Sequence, residues 1–227
     1  MTLAVGRIAD VLDTKSLTEA FRGSEAVYTL LPPNFGAPDF RKYQDEVGTA
    51  IANAIRDAGV KRAVLLSSIG ADKPSGTGPI AGVHHQEQRL KNLGIDVLAL
   101  RPGLFMENFF MNLGMIKNQG INGGAIKADL AFPMISTHDI GAAAAKGMAE
   151  GFKGFNVREL HGAKNYTQQE ATTILGQRIG KPDLKYVQFP YDDFKNALTG
   201  MGVSASVASL SSEMSKAFND GPIKPPE

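Results

Sequence analysis

The chain has 227 residues, 43% of them hydrophobic, and a formal net charge of +1. That length suits one domain, or one domain with a small appendage, and the balanced charge argues against charge-driven binding to nucleic acid or to a membrane surface. The sequence has no cysteine, which excludes disulfides, thiolate metal sites and cysteine nucleophiles and favours a cytoplasmic location. It also has no apolar run long enough to predict a membrane span or a secretory signal.

The N-terminal part of the chain predicts a strand, a short helix and a second strand. Residues 4–9 are predicted to form the first strand, and Asp13 and Gly23 to cap the helix that follows. The segment "AVYTLL" at 26–31 is typical of a buried strand. Pro32 and Pro33 end it, because proline cannot continue the hydrogen bonds of a central strand.

The next part of the chain alternates in the same way. The spacing of apolar residues predicts a helix over 39–58, and "RAVLLSS" at 62–68 predicts a buried strand. A loop rich in glycine and proline over 69–82 precedes a predicted helix at 83–94 and a predicted strand at 96–100. Buried strands that alternate with amphipathic helices predict a parallel α/β sheet.

The remainder of the chain predicts less regular elements. "ADLAFPMIS" indicates a strand broken by Pro133, and "THDIGAAAAKGMAEG" indicates a helix capped by Thr137. Thr167 and Glu170 form a predicted capping box for a helix that ends near Gly180. The other predicted elements are strands at 156–160 and 184–190 and helices at 191–199 and 204–219.

Several stretches of the sequence, taken together, resemble a known family. They are "ADVLDTKSLTEAFRGSEAVYTLLPP", "KRAVLLSSIGA", "LRPGLFMENF", "STHDIGAAAA" and "NYTQQEATTILGQRIGKPDLKYVQFPYDDF". In this order they resemble the NmrA-like branch of the atypical short-chain dehydrogenase/reductases. The resemblance implies a doubly wound, Rossmann-like parallel sheet over residues 1–165, a small and mostly helical substrate-side subdomain over 166–227, and NADP or NAD as cofactor.

The resemblance also indicates what the sequence lacks. It places the first quoted stretch at the family's third and fourth strands, so the preceding part of the family fold, about 50–60 residues, has no counterpart here. That part carries the G-x-x-G-x-x-G fingerprint, through which backbone N–H groups hold the pyrophosphate. The segment "GTGPIAG" at 76–82 has a different spacing and is predicted to be an ordinary flexible loop. We therefore expect cofactor binding to be impaired.

A sheet truncated in this way would leave one edge and one face uncovered. The remaining crossovers are expected to put their helices on one face, so the other apolar face becomes a surface for association. Three outcomes stay open: residues 4–9 pair with the strand at 26–31, two chains cover each other, or the chain is a fragment of a longer protein. We expect a homodimer or a rearranged edge rather than a complete seven-stranded sheet.

Candidate cofactor contacts follow from the resemblance. Asp10 and Val11 match the family's acidic–hydrophobic pair beside the adenine, and the alternative is an ordinary strand-end aspartate near a helix start. Leu31, Pro32 and Pro33 match the loop that lines the dinucleotide.

Two serines end the third predicted strand. Ser67 and Ser68 lie where ligands bind in open α/β sheets, and a hydroxyl there can hydrogen-bond a substrate carbonyl. The alternative is that they only satisfy backbone groups at the end of the strand. Ser67 is also a candidate cofactor contact.

The family's tyrosine proton donor has no counterpart in the corresponding helix. In relatives a lysine or histidine often stands near the start of that helix, and the matching position falls on Val83. His84 is the next residue, about 100° around the helix, and is the third catalytic candidate after Ser67 and Ser68. The alternative for His84 is a polar residue in a first helical turn. Tyr191 and Lys195 have the Tyr-x-x-x-Lys spacing but lie far along the chain, which predicts a chance match.

The segment "RPGLFMENF" resembles the loop that passes the nicotinamide and opens the substrate pocket. The cofactor-binding candidates in it are Pro102, Gly103, Leu104, Phe105 and Asn108. Its aromatic and methionine side chains indicate either an apolar pocket wall, suited to a planar substrate such as a quinone, or core packing. The histidines have no metal-ligand spacing, so no metal site is predicted.

Two functions from different classes remain open. One is an NAD(P)H-dependent oxidoreductase that acts on a small molecule such as a quinone or another carbonyl compound. The other is a non-catalytic, redox-sensing regulator that acts through a protein partner, which the absence of the tyrosine–lysine pair favours. A sugar-nucleotide epimerase is a weaker third possibility, because that chemistry also uses the tyrosine. Neither a nucleic-acid nor a membrane partner is expected.

Overall fold

The computed structural model of the chain describes residues 6–224. The helices are α1 (Thr14–Phe21), α2 (Phe40–Asp57), α3 (Ile80–Lys91), α4 (Leu113–Gln119), α5 (Thr137–Glu150), α6 (Gln168–Arg178), α7 (Tyr191–Gly200) and α8 (Ala205–Asn219). The strands are β1 (Ala26–Thr29), β2 (Arg62–Leu66), β3 (Asp96–Pro102), β4 (Leu104–Phe105), β5 (Ile121–Gly124), β6 (Phe132–Ile135), β7 (Phe155–Leu160), β8 (Asn165–Tyr166) and β9 (Lys185–Gln188). A 3₁₀ helix spans Met106–Asn112.

The main sheet is parallel, with the strand order β1-β2-β3-β7. Its register aligns Val27 with Ala63, Ala63 with Val97, and Val97 with Phe155. Parallel neighbours need a crossover connection, and α2 and α3 supply it between β1, β2 and β3. This arrangement confirms the predicted Rossmann-like α/β fold. Within residues 6–224 the sheet has four strands, with β1 at one edge.

The two faces of the sheet are covered by different helices. On one face, Ala63 and Leu65 pack with apolar residues of α1, α2 and α3 in the largest core cluster. On the other face, Val64 and Leu98 pack against Ala144 of α5. Alternate residues of a strand point to opposite faces, so β2 contributes to both clusters. The expectation that the remaining crossovers put their helices on one face therefore holds for α2 and α3 and is wrong for α5, which lies between β3 and β7 and packs on the other face. The connection from β3 to β7 is long and also contains β4, the 3₁₀ helix, α4, β5 and β6.

The predicted first strand is not present in the described residues. Residues 4 and 5 lie outside them, and residues 6–9 are not in a strand and do not pair with β1. Ile8 is fully exposed, whereas Ala9 and Val11 pack against the cluster under α1 and α2. A segment without a partner strand cannot satisfy its backbone groups as a strand, so it runs as irregular chain towards α1.

Two local predictions also differ from the structure. Pro133 does not break its strand: it lies inside β6 and pairs with Asn165 of β8, while the residues after it pair with β4. The N-cap of α5 is Ser136, whose Oγ accepts the N–H of Asp139 at 3.1 Å, and Thr137 is the first helical residue. The predicted capping box of Thr167 and Glu170 is present at the start of α6.

The C-terminal part of the chain pairs with an internal segment. β5 pairs with β9, and β6 pairs with β8, so residues 121–135 contact strands beyond residue 165. The buried Asn122 links this segment to its surroundings, because its Nδ2 donates to Thr172 Oγ1 at 2.8 Å. The 3₁₀ helix, α4, β4, β5 and β8 were not predicted, and the boundary at residue 165 stays a prediction. No helix among the described residues is long and apolar enough to cross a membrane.

Candidate functional site

The carboxyl ends of β2 and β3 are joined by backbone hydrogen bonds that continue past the strands. The N–H of Ser67 donates to Leu100 O at 2.7 Å, and the N–H of Ile69 donates to Pro102 O at 3.2 Å. These bonds bring the predicted site residues at 67–68 and 102–103 side by side. Ligands bind at this edge in open α/β sheets.

Ser67 belongs to a buried ionic cluster beneath this edge. Its Oγ donates to Glu87 Oε1, and Glu87 is 1% exposed. Arg101 forms two further bonds to the same carboxylate, from Nε at 2.9 Å and from Nη2 at 2.6 Å. The hydrogen bonds to Glu87 raise the pKa of Arg101, although burial opposes this. The hydroxyl proton of Ser67 is therefore used in a buried hydrogen bond to Glu87.

Ser68 and His84 lie in less enclosed positions. Both are half-buried, and Ser68 Oγ donates to the carbonyl of Ile69 at 3.0 Å. His84 Nδ1 lies 2.7 Å from Ala71 O. A carbonyl oxygen only accepts, so Nδ1 carries the proton and Nε2 keeps a lone pair in the neutral ring.

The glycine-rich loop between β2 and α3 is packed down. Thr77 and Gly78 are buried, and a Cβ at Gly78 would lie 2.1 Å from the carbonyl of Leu210 in α8. The N–H of Gly78 donates to Glu213 Oε1 at 3.1 Å, and Arg41 Nη2 donates to Gly78 O at 2.6 Å. Glu213 of α8 and Arg41 of α2 thus occupy the hydrogen-bonding positions at the N–H and the carbonyl of Gly78 that a ligand would otherwise use.

The remaining predicted contacts surround β1. Val11 and Leu31 both pack against the core cluster that contains Val27 of β1. Asp10 is exposed, and its Oδ1 accepts the N–H of Leu12 at 2.9 Å. Pro32 is half-buried and Pro33 is exposed in the loop that leaves β1.

A groove of about 310 Å³ lies on the sheet face that α5 partly covers. Phe105 is the predicted site residue that lines it. The other lining residues are Tyr28, Leu66, Thr137, Ile140, Gly141, Ala144, Ala145 and Met148. The groove is apolar, so it suits a flat hydrophobic group better than a charged one. A wider, open depression of about 750 Å³ runs along α1 and α2, but charged side chains line much of it and none of the predicted site residues does.

The segment after Phe105 is apolar and exposed. Met106, Phe110 and Met111 are 42%, 68% and 61% exposed, and Asn108 is exposed beside them. Glu107 turns the other way, and its carboxylate accepts hydrogen bonds from Thr137 at the start of α5. The structure therefore presents the predicted apolar side chains at the surface rather than in the core.

Tyr191 and Lys195 do not form a catalytic pair. Tyr191 OH accepts from Asn219 Nδ2 at 2.8 Å, and Lys195 pairs with Asp192 at 2.7 Å. Among residues 6–224, no group of three or more His, Cys, Asp and Glu side chains could hold a metal ion.

Sequence reasoning missed three residues that shape the site. Glu87 and Arg101 read as ordinary surface charges of a helix and a strand end, yet they form the buried pair. Glu107 lies within a run of apolar residues, and nothing in the sequence indicates its contact with Thr137. The signal that identifies Arg101 and Glu87 is a charge inside a buried element, because such a charge needs a partner.

The sequence profile of the NmrA-like family matches residues 2–226. The chain belongs to the NmrA-like family. This match confirms the resemblance noted from the quoted stretches, since it extends over nearly the whole chain.

Several proteins that are similar to this chain are named as reductases or oxidoreductases. The chain is 26% identical over 212 residues to the NAD(P)H azoreductase of Xenophilus azovorans, covering 90% of this chain and 68% of that protein. It superposes on an NADPH-dependent quinone oxidoreductase of Escherichia coli, complexed with NADPH, with a TM-score of 0.78 and 27% identity, covering 95% of this chain and 73% of the other. A triphenylmethane reductase of Citrobacter sp., complexed with NADP(H), gives a TM-score of 0.77 at 21% identity, covering 97% and 75%, and this likeness concerns the fold alone.

The helix starts near the strand ends decide whether this chain can hold a dinucleotide pyrophosphate. Asp13 accepts the N–H of Lys15 at α1, and Asp39 accepts the N–H of Lys42 at α2. At α3 the N–H of Gly78 is taken by Glu213. A phosphate binds a helix start through open N–H groups and a positive end, and a carboxylate removes both. These three N–H groups are therefore not open to a pyrophosphate.

Proposed function

We propose that this chain is an oxidoreductase-type protein of the NAD(P)(H)-dependent kind, with a substrate side suited to flat apolar compounds such as quinones. The observation that carries the proposal is the apolar groove beside Phe105, in a chain whose relatives include an NADPH-dependent quinone oxidoreductase. We further propose that dinucleotide binding by these 227 residues is impaired, because carboxylates accept N–H groups at the starts of α1 and α2 and the N–H of Gly78 before α3.

The proposed dinucleotide contacts are those that the family resemblance indicates. They are Asp10, Val11, Leu31, Pro32, Pro33, Ser67, Pro102, Gly103, Leu104, Phe105 and Asn108. The proposed catalytic groups are Ser67, Ser68 and His84. Ser68 is the stronger of the two serines, because the hydroxyl of Ser67 is already donated to Glu87.

Calorimetric titration of the purified chain with NADPH and NADH tests the cofactor part. We expect dissociation constants near or above about 1 mM, since the loss of several charge-assisted bonds weakens binding by orders of magnitude. Micromolar binding would contradict the proposed impairment. Menadione reduction, followed at several millimolar NADPH, then tests the reductase part.

The second candidate is a non-catalytic regulatory protein that acts through a protein partner. Two observations favour it: carboxylates accept the N–H groups of Lys15, Lys42 and Gly78 that a pyrophosphate could use, and Tyr191 and Lys195 each bond to another residue. Absence of menadione turnover at millimolar NADPH would favour this candidate over the reductase. We also propose a homodimer and a cytoplasmic location, which sedimentation and fractionation test.

A further inference from the structure

Glu107 joins the two sides of the apolar groove. Its carboxylate accepts the backbone N–H of Thr137 at 2.9 Å on Oε1 and 3.0 Å on Oε2, and the hydroxyl of Thr137 at 2.6 Å on Oε1. Thr137 and Phe105 both line the groove, so the contact spans from the loop after β4 to the start of α5. A carboxylate at this position also meets the positive end of α5.

The apolar segment around Glu107 has few other polar ties. Within the described residues, the side-chain hydrogen bonds that join 106–113 to the rest of the chain come from two residues. Glu107 makes the bonds to α5, and Asn112 Nδ2 donates to Asn122 Oδ1 at 2.6 Å and to Gly123 O at 3.0 Å. Between these anchors, Phe110 and Met111 are mostly exposed and add little packing. The position of the segment therefore depends on its two ends.

We propose that Glu107 is a positioning residue, which holds the 3₁₀ helix Met106–Asn112 against α5 and so sets the width of the groove mouth for a flat apolar substrate. The identity of the substrate rests on the function proposed above, whereas the positioning role does not. When Glu107 is replaced, the segment stays attached at Phe105, which pairs with Ile135, and at Asn112, and the stretch between these two points becomes more mobile. The groove mouth then loses its fixed shape.

Hydrogen exchange and a fluorescent reporter test the positioning role without any turnover. We expect Glu107→Gln to speed exchange of the 106–113 amides and of the Thr137 amide by about tenfold, with β2 and β3 unchanged. The chain has no tryptophan, so Phe110→Trp provides a single reporter, and its anisotropy should fall when Glu107→Gln is added. The matched control is Glu170→Gln, which removes the capping carboxylate of α6 and has no contact with the segment. If neither exchange nor anisotropy changes in Glu107→Gln, the proposal is overturned.

Quenching of the same tryptophan by menadione tests the substrate part. We expect the Phe110→Trp protein to bind menadione, and the added Glu107→Gln to raise the dissociation constant by about tenfold. If exchange shows that the segment is more mobile but the dissociation constant for menadione is unchanged, the proposed link between the position of the segment and substrate binding is overturned. Because Phe110 does not itself line the groove, calorimetry with menadione accompanies the quenching, and no binding by either method would refute the proposed substrate class. The exchange result would still decide the positioning role.

Discussion

Replacing Arg101 by methionine is predicted to destabilise the fold strongly. The Arg101 side chain is 13% exposed, and it forms two bonds to Glu87, which is 1% exposed. In Arg101→Met the carboxylate stays buried with only the Ser67 hydroxyl as a partner. An unpaired buried charge of this kind costs about 3–5 kcal/mol, because desolvation is no longer offset by the opposite charge.

Urea and thermal denaturation measure this loss directly. In a chain of this size, about 1 kcal/mol shifts the melting temperature by about 2–4 °C, so a fall of roughly 6–20 °C is expected. The double variant Glu87→Gln/Arg101→Met removes both charges and should recover at least about half of the lost free energy. Arg56→Met is the control, because its pair with Asp57 is exposed and contributes about 0.5 kcal/mol or less. The reasoning fails if Arg101→Met unfolds like the control, or if the double variant is no more stable than Arg101→Met.

Three further predictions concern other parts of the fold. Asp96→Asn should lower the melting temperature at neutral pH, and this difference should shrink between about pH 5 and pH 3. The backbone N–H before β7 and a lysine hold the pKa of Asp96 below its usual range, so its contribution is present above the unfolded pKa and is lost as pH falls; a constant difference would contradict this. Nitrogen-15 NMR of the neutral ring should find the His84 proton on Nδ1, because the carbonyl of Ala71 can only accept; a proton on Nε2 would refute the assignment. Gly147→Ala should cost about 1–3 kcal/mol, because the new methyl would lie 2.6 Å from a leucine of β3. Gly141→Ala meets nothing within 4 Å and should stabilise by up to about 1 kcal/mol; equal urea midpoints for the two variants would contradict the packing argument.

Local signals in the sequence were enough to predict much of the main sheet. α2 begins after Asp39, the capping box opens α6, and the apolar runs at β2 and β3 form the centre of the sheet. In each case the deciding interaction lies within a few residues, such as a side chain that accepts a nearby N–H, or a short run buried on both faces. Such interactions can be recognised without knowing what the rest of the chain does.

The elements that were missed depend on partners far along the chain. β5 reads as "INGG", which is typical of a turn, yet it pairs with β9 more than 60 residues later. Gly123 is needed there because a Cβ would lie 2.5 Å from the ring of Phe189. The placement of α5 has the same cause. The sheet face on which α5 lies depends on the packing of Leu98 of β3 against Gly147, and the apolar pattern of α5 alone does not indicate that face. A local pattern in one sequence does not indicate which residues far along the chain these elements contact.

The same limit applies to the candidate site. Ser67 and Ser68 are adjacent and chemically identical, and the sequence gives no reason to separate them. The structure separates them through Glu87, which takes the hydroxyl of Ser67 and is itself held by Arg101. The hydrogen bond from Ser67 stabilises the buried carboxylate of Glu87. If the Ser67 hydroxyl bound a substrate instead, the carboxylate would lose one of its hydrogen-bond partners. Ser68 and His84 make their hydrogen bonds outside this buried cluster, which is the reason that we favour them over Ser67 as the proposed catalytic groups.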